Sequence, residues 1–333
     1  MPRQAAVLGS VAVAGVGTRV IFLPIEVIDM KLSLSAVRRA SAVLCCLLAL
    51  SRAAGPTWAV GQTTSQRPAF GTRTQGVLVD VEVKRDGYPV GGLVAADFEL
   101  RDNGILQTCE VAQSSDTPVN VVLALDASAS TAGQRLADLV AAGRTLLAGL
   151  KPGDRTALEA FNEFVTTRFP LTTDLAAVGA ALELVTPSGN TSLLDGVYAG
   201  LLTTEPAVGP SLLVVYTDGA DTASWLRLDE VRDAASRLDA VLVAVVVRGG
   251  YQGSDLQALA ETTGGEVVAI DSTAKLTAEF GRILREFRSR YQLTFTPSGV
   301  QQGGFHKLEV HVKRQGLSVH ARPGYFSSAK ESR

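Results

Sequence analysis

Val119-Asn120-Val121-Val122-Leu123-Ala124-Leu125-Asp126 is a near-continuous apolar run closed by an acid. A strand of this kind has no polar face to offer water, so it belongs in a sheet buried on both sides, as parallel sheets covered by helices are. Two more runs repeat the form: residues 211–216, closed by Thr217-Asp218-Gly219, and residues 241–247, closed by Arg248-Gly249-Gly250. Between them lie helical stretches. Leu136, Leu139, Val140, Leu146 and Leu147 space roughly as one helix face, and residues 174–185, 193–202, 228–238 and 274–288 read similarly. Strands alternating with helices predict an α/β domain with a mostly parallel sheet over residues 119–289.

On both sides of this region the pattern turns to β. Val77, Val79, Val81 and Val83 alternate with Leu78, Asp80, Glu82 and Lys84, a half-buried strand. Asp86-Gly87 marks a turn, Phe98-Glu99-Leu100 leads to a second turn at Asn103-Gly104, and residues 105–111 are expected as the returning strand of that hairpin. Beyond the α/β region, Tyr291-Gln292-Leu293-Thr294-Phe295, residues 308–313 and Leu317-Ser318-Val319-His320 read as strands again. Neither flank has enough strands to bury a core alone. Residues 74–118 and 290–326 are therefore expected to pair into one small β-sandwich with the α/β domain inserted between them, leaving residues 327–333 as a tail.

The first 59 residues read as a leader. Arg38-Arg39 precede an unbroken apolar run over residues 42–50, followed by small residues up to Thr57-Trp58-Ala59. That is the order of a secretory signal, with cleavage expected after Ala59, and the run is too short to span a bilayer, which takes about 20 apolar residues. Residues 5–28 are apolar but interrupted by Arg19 and Glu26, which fits a true start at Met30; an additional membrane segment is the rival reading. Residues 60–73 are rich in Gln, Thr, Ser, Gly and Pro and read as a linker. The mature chain is expected to be exported, periplasmic or extracellular, with no membrane span. Cys45 and Cys46 fall inside the signal, and Val43-Leu44 is the wrong context for a lipid anchor; Cys109, alone in the mature chain, is expected as a small hydrophobe on a strand.

Composition excludes several classes. The net charge is −2, with 46% hydrophobic, 19% charged and 6% aromatic residues, so no long-range field draws in nucleic acid. No basic stripe with interleaved aromatics is present either.

In a parallel α/β sheet, ligands bind beyond the carboxyl ends of the strands, where the strand order reverses. Two apolar strands here end in an aspartate. Asp126 opens Asp126-Ala127-Ser128-Ala129-Ser130, and Asp218 sits in Thr217-Asp218-Gly219-Ala220-Asp221. A third loop, Ser188-Gly189-Asn190-Thr191-Ser192, precedes a helix and adds hydroxyls. Taken singly, such residues also serve as helix caps or turns. Taken together, Asp126, Ser128, Ser130, Thr191 and Asp218 offer the hard oxygen donors that suit Mg²⁺, with Mn²⁺ or Ca²⁺ as alternatives. Only two of the five are anionic, so an ion held by them keeps positive charge and an open position for an incoming carboxylate. Asn190, Asp195 and Asp221 stand as candidates for the rim or the surrounding shell.

In order and context, Asp126-x-Ser128-x-Ser130, Thr191 within Gly189-Asn190-Thr191-Ser192-Leu193-Leu194-Asp195, and Thr217-Asp218-Gly219 resemble the metal-ion-dependent adhesion site of von Willebrand factor A domains. The resemblance implies a doubly wound sheet, usually Mg²⁺, and a protein partner that presents an Asp or Glu. The family's usual glycine between the two serines is Ala129 here. The flanks, with Asp86-Gly87-Tyr88-Pro89-Val90 and Asp97-Phe98-Glu99-Leu100 before the domain and Val319-His320-Ala321-Arg322-Pro323-Gly324-Tyr325 after it, resemble an exported bacterial von Willebrand A-related family common in Acidobacteria.

Enzyme readings fare poorly. A strand-end aspartate acting as a nucleophile in phosphoryl transfer wants a second carboxylate as proton donor where Ser128 stands. A serine nucleophile wants a glycine-flanked elbow and a histidine base, whereas alanines flank these serines and no histidine precedes His306. His306, His311 and His320 lack metal-ligand spacing and are expected to be structural or solvated. The expected function is a metal-dependent binding module, not an enzyme; a scaffold module with a purely structural ion is the alternative, and a hydrolase a distant third.

Overall fold

The computed structural model describes residues 76–327 apart from residues 114, 116, 206, 208 and 250–253. The leader, the linker and the tail beyond residue 327 lie outside the described residues.

The chain opens with β1 (Val77–Arg85), β2 (Tyr88–Pro89), β3 (Phe98–Asp102), β4 (Ile105–Gln107) and β5 (Cys109–Gln113). The α/β portion follows: β6 (Asn120–Asp126), α1 (Gln134–Ala148), β7 (Arg155–Phe161), β8 (Val165–Thr172), α2 (Leu175–Glu183), α3 (Leu193–Thr204), β9 (Ser211–Thr217), α4 (Leu228–Arg237), β10 (Ala240–Val247), α5 (Asp255–Thr263), β11 (Glu266–Ile270) and α6 (Leu276–Arg288). It closes with β12 (Tyr291–Phe295), β13 (Gly304–Val312), β14 (Ser318–Ala321) and β15 (Gly324–Ser327).

The central sheet runs β11-β10-β9-β6-β7-β8, parallel throughout except for the antiparallel edge strand β8. Every residue of β6, β9 and β10 is buried, as their unbroken apolar runs require. Alternation on β6 sends Val121, Leu123 and Leu125 into one core with α1, α2 and α6, and Val122 and Ala124 into a second core with α3, α4 and α5. Helices thus cover both faces, the doubly wound arrangement expected. The chain leaves β6 for β7 on one side and later returns to β9 on the other, so the topological switch point lies between β6 and β9.

The flanking strands form two antiparallel sheets, β14-β1-β12-β5 with β2 on β1, and β15-β13-β3-β4, packed over a core that includes Val81, Leu100, Tyr291 and Leu293. β5 pairs with β12, with Gln113 opposite Tyr291, so the chain departs for the α/β domain and re-enters the sandwich on adjacent strands. The fold class expected from the sequence is therefore the one found. Both hairpin turns have positive φ at both central residues, Asp86-Gly87 (52° and 83°) and Asn103-Gly104 (47° and 81°), which matches the twist of two-residue hairpins.

The single returning strand expected over residues 105–111 needs correction. The chain pairs with β3 over residues 105–107 and then switches sheets, β5 joining β12 instead. The buried Gln107 side chain fixes this crossing: it donates to the Ser298 carbonyl (2.9 Å) and accepts from the Ser298 amide (2.9 Å). Cys109 is half-buried on β5 against the sandwich core, its thiol pushed up by burial. Of the histidines, His306 pairs through Nδ1 with buried Asp102 (2.8 Å), His320 Nε2 meets the Gly265 carbonyl (2.9 Å), and His311 is exposed.

Candidate metal centre

Asp126 ends β6 at the switch point, fully buried, beside the end of β9. Its Oδ1 accepts from the Ser128 amide (2.8 Å) and its Oδ2 from the Thr217 hydroxyl (2.7 Å). Burial pushes the Asp126 carboxyl above the usual carboxylate range, while the Ser128 and Thr217 donors pull the other way. After Ser128 the chain makes one 3₁₀ turn over Ala129–Thr131. That turn brings the two serine hydroxyls within 3.0 Å of each other, and Ser130 Oγ donates to Asp218 Oδ1 (2.7 Å). Asp218 follows β9 directly, and the guanidinium of Arg135 on α1 holds its other oxygen, Oδ2, at 2.5 Å. Arg135 also donates to the Ser130 carbonyl (3.3 Å). Among the described residues only Asp86 and Asn103 combine a side chain with positive φ, so Ala129 fits this loop without the backbone freedom that only glycine offers.

The third loop is fastened to the first by main-chain bonds, Ser188 N–H to the Ala127 carbonyl (2.9 Å) and Ala129 N–H to the Gly189 carbonyl (3.0 Å). It is fastened to the loop after β9 by Thr222 and Ala223 amides donating to the Thr191 carbonyl (2.9 and 3.0 Å). The Thr191 amide in turn donates to the Thr222 hydroxyl (3.1 Å). Thr191 is buried. A β-carbon placed on Gly219 would stand 3.8 Å from Thr191 Oγ1 and 4.0 Å from Ser130 Oγ, so both hydroxyls face the same small space, which glycine leaves open.

All five expected site residues therefore converge on one edge of the sheet. Asp126, Ser128, Ser130 and Asp218 are joined by hydrogen bonds, with Thr217 closing the chain of contacts, and Thr191 shares the space over Gly219. The three outer candidates have other occupations. Asp195 accepts from the Trp225 and Leu226 amides (3.0 and 2.9 Å), and Asp221 accepts from the Ser224 amide (3.1 Å), both bracing the loop after β9. Asn190 is exposed beside Thr191. Sequence reasoning passed over Thr217, visible only as part of a turn, and Arg135, whose role depends on a helix start folding back over Asp218.

The donor set fits a small hard cation. It offers two carboxylates and three hydroxyls, and Mg²⁺ accepts mixed oxygen ligands while keeping some of its own waters, so groups already hydrogen-bonded can still hold it directly or through water. Among the described residues no cluster of three or more His, Cys, Asp and Glu side chains is placed to hold a metal.

Residues 120–282 match the model of the von Willebrand factor type A domain. Among curated proteins none matches the chain. Of solved structures, a von Willebrand factor type A protein from Catenulispora acidiphila is 12% identical over 79% of this chain and 76% of its own, with a TM-score of 0.48. An aerotolerance-related membrane protein from Bacteroides fragilis is 18% identical over 51% of this chain and 98% of its own, with a TM-score of 0.43. Proximal thread matrix protein 1 from the mussel byssus, solved with a zinc-occupied MIDAS motif, is 18% identical over 62% of this chain and 51% of its own, with a TM-score of 0.48. This chain spans about half the length of the mussel protein. At these identities the likeness is one of fold.

Proposed function

Residues 120–282 of this chain are a von Willebrand factor type A domain, and from that premise we propose that the protein is a metal-dependent protein-binding module. Asp126, Ser128, Ser130, Thr191 and Asp218 hold a divalent ion, Mg²⁺ in the first place with Mn²⁺ or Ca²⁺ as substitutes. When bound, the ion supplies a positive charge with an open position that an Asp or Glu of the partner completes. The observation that carries this reading is the hydrogen-bonded chain Asp126–Thr217 and Ser128–Ser130–Asp218, which gathers donors from separate loops at the switch point.

The residues divide the work by position. Asp126, buried at the strand end and braced by Thr217 and the Ser128 amide, is a fixed anchor. Ser128, Ser130 and Thr191 contribute neutral oxygens, so the ion is not neutralised by the protein alone. Arg135, half-exposed over Asp218, adds a second positive group that an incoming carboxylate meets. The loops are already joined to one another by main-chain hydrogen bonds, so an ion serving only to stiffen them has little left to do. That favours ligand binding over the purely structural ion. The leader read at residues 1–59 would place the module outside the cytoplasm, with Val60 as the first residue of the mature chain.

Isothermal titration with Mg²⁺ tests the assignment. Wild type is expected to give a saturable heat that Asp126→Ala abolishes. Asp218→Asn, which conserves side-chain volume, is expected to weaken it at least tenfold while the circular dichroism spectrum stays native. Equal titrations by wild type and both variants would overturn the site.

A further inference from the structure

We propose that two exposed aromatics, Phe164 and Trp225, flank the metal centre as a clamp for a protein segment whose acidic residue is set among apolar or aromatic neighbours; this rests on the reading of the site as a metal-dependent binder of carboxylates. Single hydrophobic side chains on a protein surface are ordinary and call for no explanation. These two differ in place. Trp225 is 89% exposed and Phe164 73% exposed, among the most exposed large hydrophobic residues of the described chain.

Both lie in segments hydrogen-bonded to the stretch around Thr191. Phe164 lies in the turn between β7 and β8, and Asn162 of that turn accepts from the Ser192 amide (2.7 Å) and hydroxyl (2.6 Å) and donates from its side chain to Ser188 Oγ (3.0 Å). Trp225 lies in the loop after β9, and its amide donates to Asp195 (3.0 Å), in the first turn of the helix that follows Thr191.

Neither aromatic rides on a slack segment. The Phe164 amide donates to Asn162 Oδ1 (3.0 Å) and its carbonyl accepts from the Asn162 amide (3.0 Å), a closed turn. Asp195 also takes the Leu226 amide (2.9 Å), and Asp221 takes the Ser224 amide (3.1 Å). Aromatic side chains presented on a fixed backbone lose little freedom on binding, and Trp is enriched among the few residues that dominate interface energies.

Charge selects the rest of the partner. The exposed Glu163, next to Phe164 and packed against Gly189, repels a run of acids, while Arg135 beside Asp218 attracts a single one. The fitting segment therefore carries one carboxylate for the ion with apolar side chains beside it.

Selection from a random 12-residue peptide library displayed on phage, against the full chain in Mg²⁺ with elution by EDTA, tests the clamp. For wild type the eluted pool is expected to carry an Asp or Glu with Leu, Met, Phe or Trp close by. Synthetic peptides from it are expected to bind Trp225→Ala and Phe164→Ala tenfold or more weakly, with Mg²⁺ titration of both variants unchanged. An acid-bearing, EDTA-eluted pool with polar flanks that binds wild type and variants alike overturns the clamp and leaves the metal reading standing. A pool without an acid, or one that EDTA does not release, overturns the metal reading and the clamp with it.

Discussion

The guanidinium of Arg135 stands 2.5 Å from Asp218 Oδ2 and 3.3 Å from the Ser130 carbonyl, so a full positive charge is built in beside two of the proposed metal ligands. The same charge that attracts a carboxylate repels a divalent cation. Arg135 is nearly half exposed, so solvent screens much of that repulsion. With a high effective dielectric the remaining penalty is about 1 kcal/mol, roughly fivefold in affinity. Arg135→Gln is accordingly expected to tighten Mg²⁺ binding about that much, read by the titration already described. A weaker titration would mean instead that Arg135 serves chiefly to aim Asp218. At this scale the sequence was most informative where chemistry and position coincide: each of the five oxygen donors lies at a strand end or a helix entry, where spacing alone places it. Arg135 was not legible because its contact with Asp218 is made through the fold, and Thr217 was hidden because a threonine on a buried strand reads as core filler until its hydroxyl is seen on Asp126.

Elements were legible in proportion to how little they compromise. β6, β9 and β10 announced themselves because every position is buried and nearly every one is apolar. β7 is buried almost as completely, yet Thr156 and Glu159 interrupt its apolar run, and it was not singled out. Glu159 is met through one oxygen by the Thr203 hydroxyl, a contact that no periodicity encodes, while its other oxygen and the Thr156 hydroxyl are buried without a hydrogen-bond partner among the described residues. The break between β4 and β5 was missed for a related reason, since the Gln107–Ser298 clasp joins distant segments. A glycine inside a helix marks another such tertiary demand. A β-carbon on Gly196 of α3 would lie 2.5 Å from the ring of Phe161, the fully buried last residue of β7. The helix that carries Thr191 at its entry is thus seated on the sheet through a missing side chain. Gly196→Ala gains about 1 kcal/mol in helix propensity but forces the ring or the helix to move at a cost of about 2–3 kcal/mol, a net loss of about 1–2 kcal/mol. Urea denaturation checks this, and a variant as stable as wild type would show that Phe161 has room to turn.

In the whole molecule, the flanking strands meet the α/β portion through a set of polar contacts. Arg322 of the sandwich donates to Asp239 (2.6 Å) and to the Ser236 carbonyl (2.7 Å) of the α/β domain, and Arg290 donates to the Gly264 carbonyl (2.8 Å). Asp80 on β1 is buried at this junction, with Arg290 and Arg322 as its nearby cations and Asp239 as a nearby anion. Burial outweighs the arginines and raises the Asp80 carboxyl to about 6 from the ordinary 3.8. The sign of the consequence follows from linkage. Between pH 4 and pH 6 the folded chain holds a proton on Asp80 that the unfolded chain has released, so stability falls as pH rises through that window and the loss is complete above it. Asp80→Asn removes the titration, whatever its own packing costs. Its stability relative to wild type is therefore expected to improve by about 2 kcal/mol on going from pH 4 to pH 8. Urea denaturation of both proteins at the two pH values measures that difference directly. If it is the same at pH 4 and pH 8, Asp80 is ionised throughout, and the arginines rather than burial govern the junction.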